Sequence, residues 1–469
     1  MNMTPSPWNQ VRFLAAKRAA LAVVVLAGCA GIGLGKIAAG LSGSRITLVS
    51  VALVVIGGLL MRGLRQPAAL ATLGFALLPL VRQEPAPVDL VLALLVVCVV
   101  LVAPQRLSVR PSVALASASF AAVTVLSVNN ASDLGRAGRY EATTLYLMAT
   151  AIALSAIFWS SRAARNCIAA YLIGASASAI AAVLALFLHY PGSHLLLYDP
   201  HRIMALFKDP NVFSGFLVPG IAIIVDELAH PRLLQWSFRT KLVILSALGA
   251  GLLFAFSRAA YLNGAIAVAT VVGVHSLRRG GGRYAARVIV AIGVVGIAAV
   301  GLLVATHSTQ FLQSRSHLQA YDQQRFATQS EALHSATRHL FGFGPGQVEV
   351  NLPLASHSLY ARVAYEQGIP GLLTLALLFG LTLVVAMRLA SRPSRVGVGG
   401  AALLASWLGL LANSAFIDTL HWRHLWIIGG LIWANYAYSS RPEDVDSSLP
   451  AISADVRSRT ARPSLGRVP

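Results

Sequence analysis

The sequence predicts an all-α polytopic membrane protein of 12 to 14 transmembrane helices, with one long outer-face loop containing an amphipathic helix. Three observations carry this. Of the 469 residues, 56% are hydrophobic and 12% charged, about half the charged share of a soluble domain. The apolar residues gather into fourteen runs bounded by charges, Pro or Gly/Ser clusters. No soluble core takes up so many separate runs near spanning length. Lys and Arg fall mainly in the short segments between runs, where basic residues set orientation in the bilayer.

In order, the runs cover 19–39, 46–61, 67–81, 88–103, 112–128, 142–161, 166–189, 211–228, 241–257, 259–276, 285–306, 369–390, 397–416 and 422–438. Several, notably 67–81, are short of the roughly 20 residues an upright helix needs, which gives the lower count of twelve. The first run has a basic flank, Arg12, Lys17 and Arg18, as a signal peptide does, and reads as a retained anchor because so many spans follow. With residues 1–18 in the cytoplasm, 24 Lys/Arg lie inside and 13 outside, which favours this orientation over its inverse. Both termini are then cytoplasmic, and 439–469, rich in Ser, Pro and Arg, reads as a disordered tail. The chain thus divides into an N-terminal membrane group (19–189), a core with the outer loops (190–375) and a C-terminal membrane group (376–438).

The formal net charge of +20 is scattered between the runs, so it speaks for membrane orientation and against a nucleic-acid partner. The three cysteines, Cys29, Cys98 and Cys167, lie inside apolar runs without zinc or disulfide spacing and act as small hydrophobes. The histidines are lopsided: His230 and His275 face the cytoplasm, and the other ten lie at or beyond the outer face. One outer loop, 307–368, is far longer than the rest, and long loops in compact proteins are functional or disordered. Within it Phe326, Leu333 and Leu340 recur every seven residues, which predicts an amphipathic helix on the membrane surface or against the bundle. Gly342-Phe343-Gly344-Pro345-Gly346 then breaks it.

Three outer-face segments hold candidate functional residues. In Tyr198 to Asn211, two Asp-Pro turns bracket Arg202 and Lys208, and Asp209 or Asn211 caps the following helix. A cation beside a helix N-terminus suits an anion; a loop with two ordinary basic residues is the other reading, and both stay open. In Phe254 to Tyr261, apolar runs press on both sides of Arg258. Taken alone, that Arg snorkels to the headgroups. In the third, Ser356-His357-Ser358-Leu359-Tyr360-Ala361-Arg362 precedes Glu366-Gln367-Gly368-Ile369-Pro370-Gly371, where the long loop re-enters the bilayer. A neutral imidazole suits removal of a hydroxyl proton, and Arg holds phosphate oxygens in pairs. His357 is otherwise one more interfacial histidine. Asp418, His421 and His424 stand three apart and read as an interfacial helix end before a metal site. His334 and His339 lack zinc-protease spacing. Asp226 and Glu227, near the inner end of a run, read as solvated carboxylates.

The order of these segments resembles the O-antigen ligase and polymerase family over about residues 200–375: Arg before Asp-Pro-Asn and a span, Ser-Arg at a tight outer turn, then a long loop closing with Gly-x-Gly-x-Gly, His, Tyr and Glu-x-Gly-x-x-Gly. The resemblance implies a metal-independent glycosyltransferase of GT-C-like build, without cofactor, in the bacterial inner membrane. Such an enzyme moves a glycan from an undecaprenyl diphosphate carrier to an acceptor at the periplasmic face. It implies Arg202 and Arg258 as the two essential arginines and His357 as the catalytic base; beside them, Lys208, Asp209, Asn211, Tyr360, Arg362 and Glu366 are the candidate substrate-binding residues. Many members have Asn after the His, where this chain has Ser358.

The chemistry is consistent on its own terms. Displacing a lipid diphosphate builds negative charge on the leaving oxygen, and each cationic donor in a water-poor site contributes about 10² to 10³ in rate. The acceptor stays open between a lipid A core sugar, a growing polysaccharide and a protein hydroxyl. A secondary transporter or lipid-linked flippase is the alternative from another class, but internal repeats of the kind transporters show are not evident.

Overall fold

The structure, a computed structural model, describes residues 43–439 apart from 159, 278–281, 306–308, 317–319 and 393–396. The first run, the N-terminal segment before it and the tail from 440 lie outside the described residues, as do His307, His317 and Cys29. The thirteen remaining runs coincide with helices. These are α1 (Gly43–Arg65), α2 (Pro67–Leu77), α3 (Pro87–Val102), α4 (Pro111–Ser127), α5 (Leu134–Ile157), α6 (Ser161–Ala185), α7 (Pro210–Ala229), α8 (Phe238–Phe254), α9 (Arg258–Ser276) and α10 (Gly282–Ala305). After α11 (Thr309–Ser316), α12 (Ala320–Arg338) and α13 (Val348–Asn351) come α14 (Leu359–Ala390), α15 (Gly400–Ser414) and α16 (Arg423–Ser439). Among the described residues, seven helices are long and apolar enough to cross a membrane. The protein is an all-α membrane protein. Helices α2, α3 and α15 are apolar but only 11, 16 and 15 residues long, short of an upright crossing.

Helix starts follow the sequence signals. Pro stands at the first turn of α2, α3, α4 and α7, where its missing N–H is not needed. Asp133, Asp209, Ser237, Ser257 and Ser358 cap α5, α7, α8, α9 and α14 through side-chain oxygens that accept backbone N–H groups. Helix α7 is the axis of the bundle, enclosed by α8, α9 and α15 and buried over nearly its whole length. It carries Pro219, and the Tyr171 hydroxyl of α6 enters its ladder, donating to the Phe216 carbonyl at 2.6 Å and accepting from Gly220 N–H at 3.0 Å. A hydroxyl thus completes the backbone that the proline loosens.

The C-terminal end of α7 corrects one reading. Asp226 and Glu227 are not solvated: they are 1% and 3% exposed. The chain turns back after His230, so Arg232 reaches Asp226 at 2.9 Å and Lys241 reaches Glu227 at 3.1 Å. His275 Nε2 lies 2.6 Å from the other Asp226 oxygen, and Leu233 N–H donates to Glu227 at 2.8 Å. Buried carboxylates persist because every one of these partners is in place.

The long loop is folded. Helix α12 packs on α14, with Ala332 and Ala336 buried, small residues that allow close approach. Its heptad stripe is left half exposed: Phe326, Leu333 and Leu340 are 46%, 47% and 55% exposed, and Phe326 borders a cavity with Arg258. Gly342, Gly344 and Gly346 all have positive φ, and the loop they form braces a break inside α14 at Gly368 (φ 69°, ψ −164°). Phe343 N–H donates to the Tyr365 carbonyl at 3.0 Å, Gly344 N–H to Glu366 at 2.8 Å, and Ile369 N–H to Leu340 at 3.0 Å. The loop and the broken helix share their backbone bonds. Helix α14 starts at Leu359, before the predicted run at 369, and Gly368 marks the join.

Candidate functional site

Arg202 sits on the second strand of a small antiparallel hairpin (Leu197–Asp199 with Arg202–Ile203) and is 7% exposed. Its Nε donates to the Ala255 carbonyl at 2.7 Å, and Nη2 donates to Asn211 Oδ1 at 3.3 Å. These two bonds tie the first predicted segment to the second. Asp209 caps α7 by accepting Asn211 N–H at 2.6 Å, and Ser257 caps α9, whose first residue is Arg258. Arg258 Nη2 donates to both carboxylate oxygens of Asp322, each at 2.6 Å, so α12 is anchored to the α9 N-terminus by an ion pair.

Two cavities, of about 270 and 390 Å³, adjoin these residues. Arg258 lines the first, Arg202 and Asp209 the second, and Asn211, Tyr321 and Arg325 line both. Arg202, Arg258 and Arg325 therefore border two adjoining cavities with a shared wall, beside the N-termini of two helices of 20 and 19 residues, ends that favour anions.

His357 is near enough to Arg325 and Asp209, which border these cavities, and to Asp418, before α16, to feel their charges. It is held between Ser356, whose hydroxyl donates to the Ser358 carbonyl at 3.2 Å, and Ser358, the cap of α14. Burial first, and then the Arg325 charge, lower its pKa below the ordinary histidine value, with Asp209 and Asp418 acting in the opposite sense. The imidazole is thus neutral at neutral pH and able to accept a proton. Among the described residues, the non-glycine positions with positive φ are Ala205, Phe256 and His357. One falls in each predicted segment. Such backbone costs about 1–3 kcal/mol per residue and gathers at functional sites.

The other predicted residues lie apart from these cavities. Lys208 pairs with Glu84 and lines a different cavity. The Tyr360 hydroxyl donates to the Leu411 carbonyl at 2.9 Å. Arg362, 3% exposed, is enclosed by three carboxylates: Glu349, Glu366 at 2.8 Å and Asp418 at 2.7 Å. Burial raises the Glu349 pKa and the Arg362 guanidinium lowers it further, for a net depression. Arg362 and Glu366 thus lock the start of α14 from within. Asp418 and His421 precede α16, which begins at Arg423, so they share no helical face with His424. His421 Nε2 lies 3.0 Å from Thr144 Oγ1, and no group of three metal-ligating residues forms among the described residues.

Sequence reasoning missed Tyr321, Asp322 and Arg325. They lie on α12 at spacings of three and four, one face of a helix, and that face was legible had the polar positions been followed rather than the apolar heptad. Residues 242–376 match the family model described as O-Antigen ligase. The match takes in Arg258, Asp322, Arg325 and His357 and leaves out Arg202, Asp209 and Asn211. No curated protein matches the chain.

Proposed function

From the match of residues 242–376 to the family model described as O-Antigen ligase, we propose that the chain is a membrane glycosyltransferase of that family, which moves a glycan from undecaprenyl diphosphate to an acceptor hydroxyl at the periplasmic face of the inner membrane. One observation carries the reading: Arg202, Arg258 and Arg325 border two adjoining cavities at two helix N-termini, and the neutral His357 is near enough to feel the charges of Arg325 and Asp209 in their walls.

The roles follow from charge. The bond from the sugar C1 to the diphosphate oxygen breaks, and the three guanidinium groups and the α7 and α9 ends stabilise the charge that collects on that oxygen. Asp322 holds the Arg258 fork in place in the free protein and yields it to the diphosphate. His357 takes the proton of the acceptor hydroxyl as its oxygen bonds to C1, a role typically contributing about 10² to 10⁴ in rate. Asp209 and Asn211 fix the α7 end and the Arg202 fork, whereas Arg362, Glu366 and Tyr360 position His357 through the start of α14. No step in this sequence draws on a metal or cofactor. The acceptor is a lipid A core sugar, a growing polysaccharide or a protein hydroxyl.

The test is transfer from a synthetic undecaprenyl-diphosphate glycan by purified protein in detergent, with Arg202→Lys and Arg258→Lys in parallel. A point charge cannot reproduce a bidentate fork, so each variant is expected to lose about 10² or more in kcat/KM. Full activity in either variant removes that arginine from the mechanism, and transport of the lipid without a covalent product overturns the enzymatic reading.

A further inference from the structure

A third cavity, of about 190 Å³, lies on the other side of the segment 207–212. The chain divides its side chains there. Phe207, Lys208 and Val212 line this cavity, while Asp209 and Asn211 line the arginine-bordered space. A few residues are the partition between the two. The far wall holds Asp418, Trp422 and His424.

Three features point to a ligand. His424 is 5% exposed, yet its Nε2 has no hydrogen-bond partner. A buried nitrogen left unpaired costs about 1–3 kcal/mol, and its ring is fixed by aromatic neighbours, with Phe216 at 5.9 Å and Trp422 at 4.9 Å between centroids. Trp422 itself is wedged on the α7 backbone: a Cβ at Gly215 would overlap its six-membered ring. The charges are spoken for, since Lys208 pairs with Glu84, Arg423 with Asp89, and Asp418 with Arg362. No surplus cation remains to select a phosphate. A fixed indole, an unpaired imidazole nitrogen and a carboxylate suit an uncharged pyranose, whose C–H face lies on the aromatic ring while its hydroxyls meet the polar atoms. The volume is below the roughly 300 Å³ of drug-sized sites, which fits a single ring.

We propose that this cavity seats the terminal sugar of the acceptor, stacked on Trp422 and hydrogen-bonded by His424 Nε2 and Asp418, with 207–212 separating it from the lipid diphosphate. Its assignment to the acceptor rests on the transferase reading, and on Asp418, which borders this cavity and also acts electrostatically on His357. The binding of a sugar there does not rest on that reading.

The experiment has two arms on the full chain in detergent, with Trp422→Phe and His424→Phe. In the first, saturation-transfer NMR with the methyl glycosides of glucose, galactose and mannose reads binding without turnover. At least one glycoside is expected to show transfer to the wild type that drops about tenfold in His424→Phe, the effect of one hydrogen bond, and that drops also in Trp422→Phe, whose smaller ring offers less stacking face. Undiminished transfer in both variants, or none in the wild type, overturns the subsite. In the second arm, acceptor KM is expected to rise about tenfold with donor KM unchanged. A rise in donor KM instead overturns the acceptor assignment. Because His424→Phe removes an unpaired nitrogen from aromatic surroundings, its melting temperature should hold or rise. Lost glycoside binding at an undiminished melting temperature supports a ligand role over a structural one. Glycoside binding by a wild type that transfers no glycan supports the subsite while the transferase reading fails.

Discussion

His357 combines a left-handed backbone with a half-buried ring, and the two together fix an imidazole that titrates low. In the proposed mechanism the neutral ring is the active form, and it is present above its depressed pKa. Transfer rate should therefore fall on the acid side with a midpoint below about 6.5, the ordinary histidine value. Removing a positive neighbour by Arg325→Gln should move that midpoint upward, which pH–rate profiles of the two proteins would read. A midpoint that stays in place separates Arg325 from His357. At this scale the sequence singled out Arg202, Arg258 and His357 as candidates because each stands in a segment with a distinct local pattern. It did not disclose that Lys208 is taken by Glu84, a partner far away in the chain. Nor did it disclose Asp322 and Arg325, which gain their place only when α12 folds back over α9.

At the scale of elements, the decisive part is the brace between the 342–346 loop and the break in α14. Gly368 holds a conformation open to glycine alone, and a Cβ there would fall on the Leu340 carbonyl. Gly368→Ala should cost at least about 1–3 kcal/mol and shift the N-terminal turn of α14, with His357 just before its cap. The expected result is a lower melting temperature together with a loss of activity. An active, fully stable variant would mean that the brace does not position the histidine. The sequence signals for elements were mostly local and were legible: Pro at helix starts, Ser and Asp caps, Gly at the break. What it could not give was which face of α12 meets the bundle. The heptad favoured the apolar positions, but α14 is approached through alanines, since close packing needs small residues more than it needs large ones.

For the molecule as a whole, the arrangement of basic residues predicts sidedness. Ser330 on α12 and Ser391 after α14 are both exposed and should lie on opposite sides of the bilayer. In right-side-out membranes an impermeant maleimide should label Ser330→Cys at once and Ser391→Cys only after permeabilisation. The reverse pattern would invert the topology and turn the arginine-bordered space to the cytoplasm. The helical, membrane-embedded character was plain from composition and run length, because a bilayer imposes both on any chain that crosses it. The buried Asp226 and Glu227 were not, because their partners Arg232, Lys241 and His275 converge only in the folded bundle.

The partition at 207–212 bears on how the reaction is timed. Two substrates that enter separate chambers need not wait for each other, and neither has to leave a fragment on the protein before the other arrives. Initial-velocity lines at varied donor and acceptor concentrations should therefore intersect, the mark of a ternary complex, whereas parallel lines would indicate a covalent glycosyl-enzyme and a double displacement.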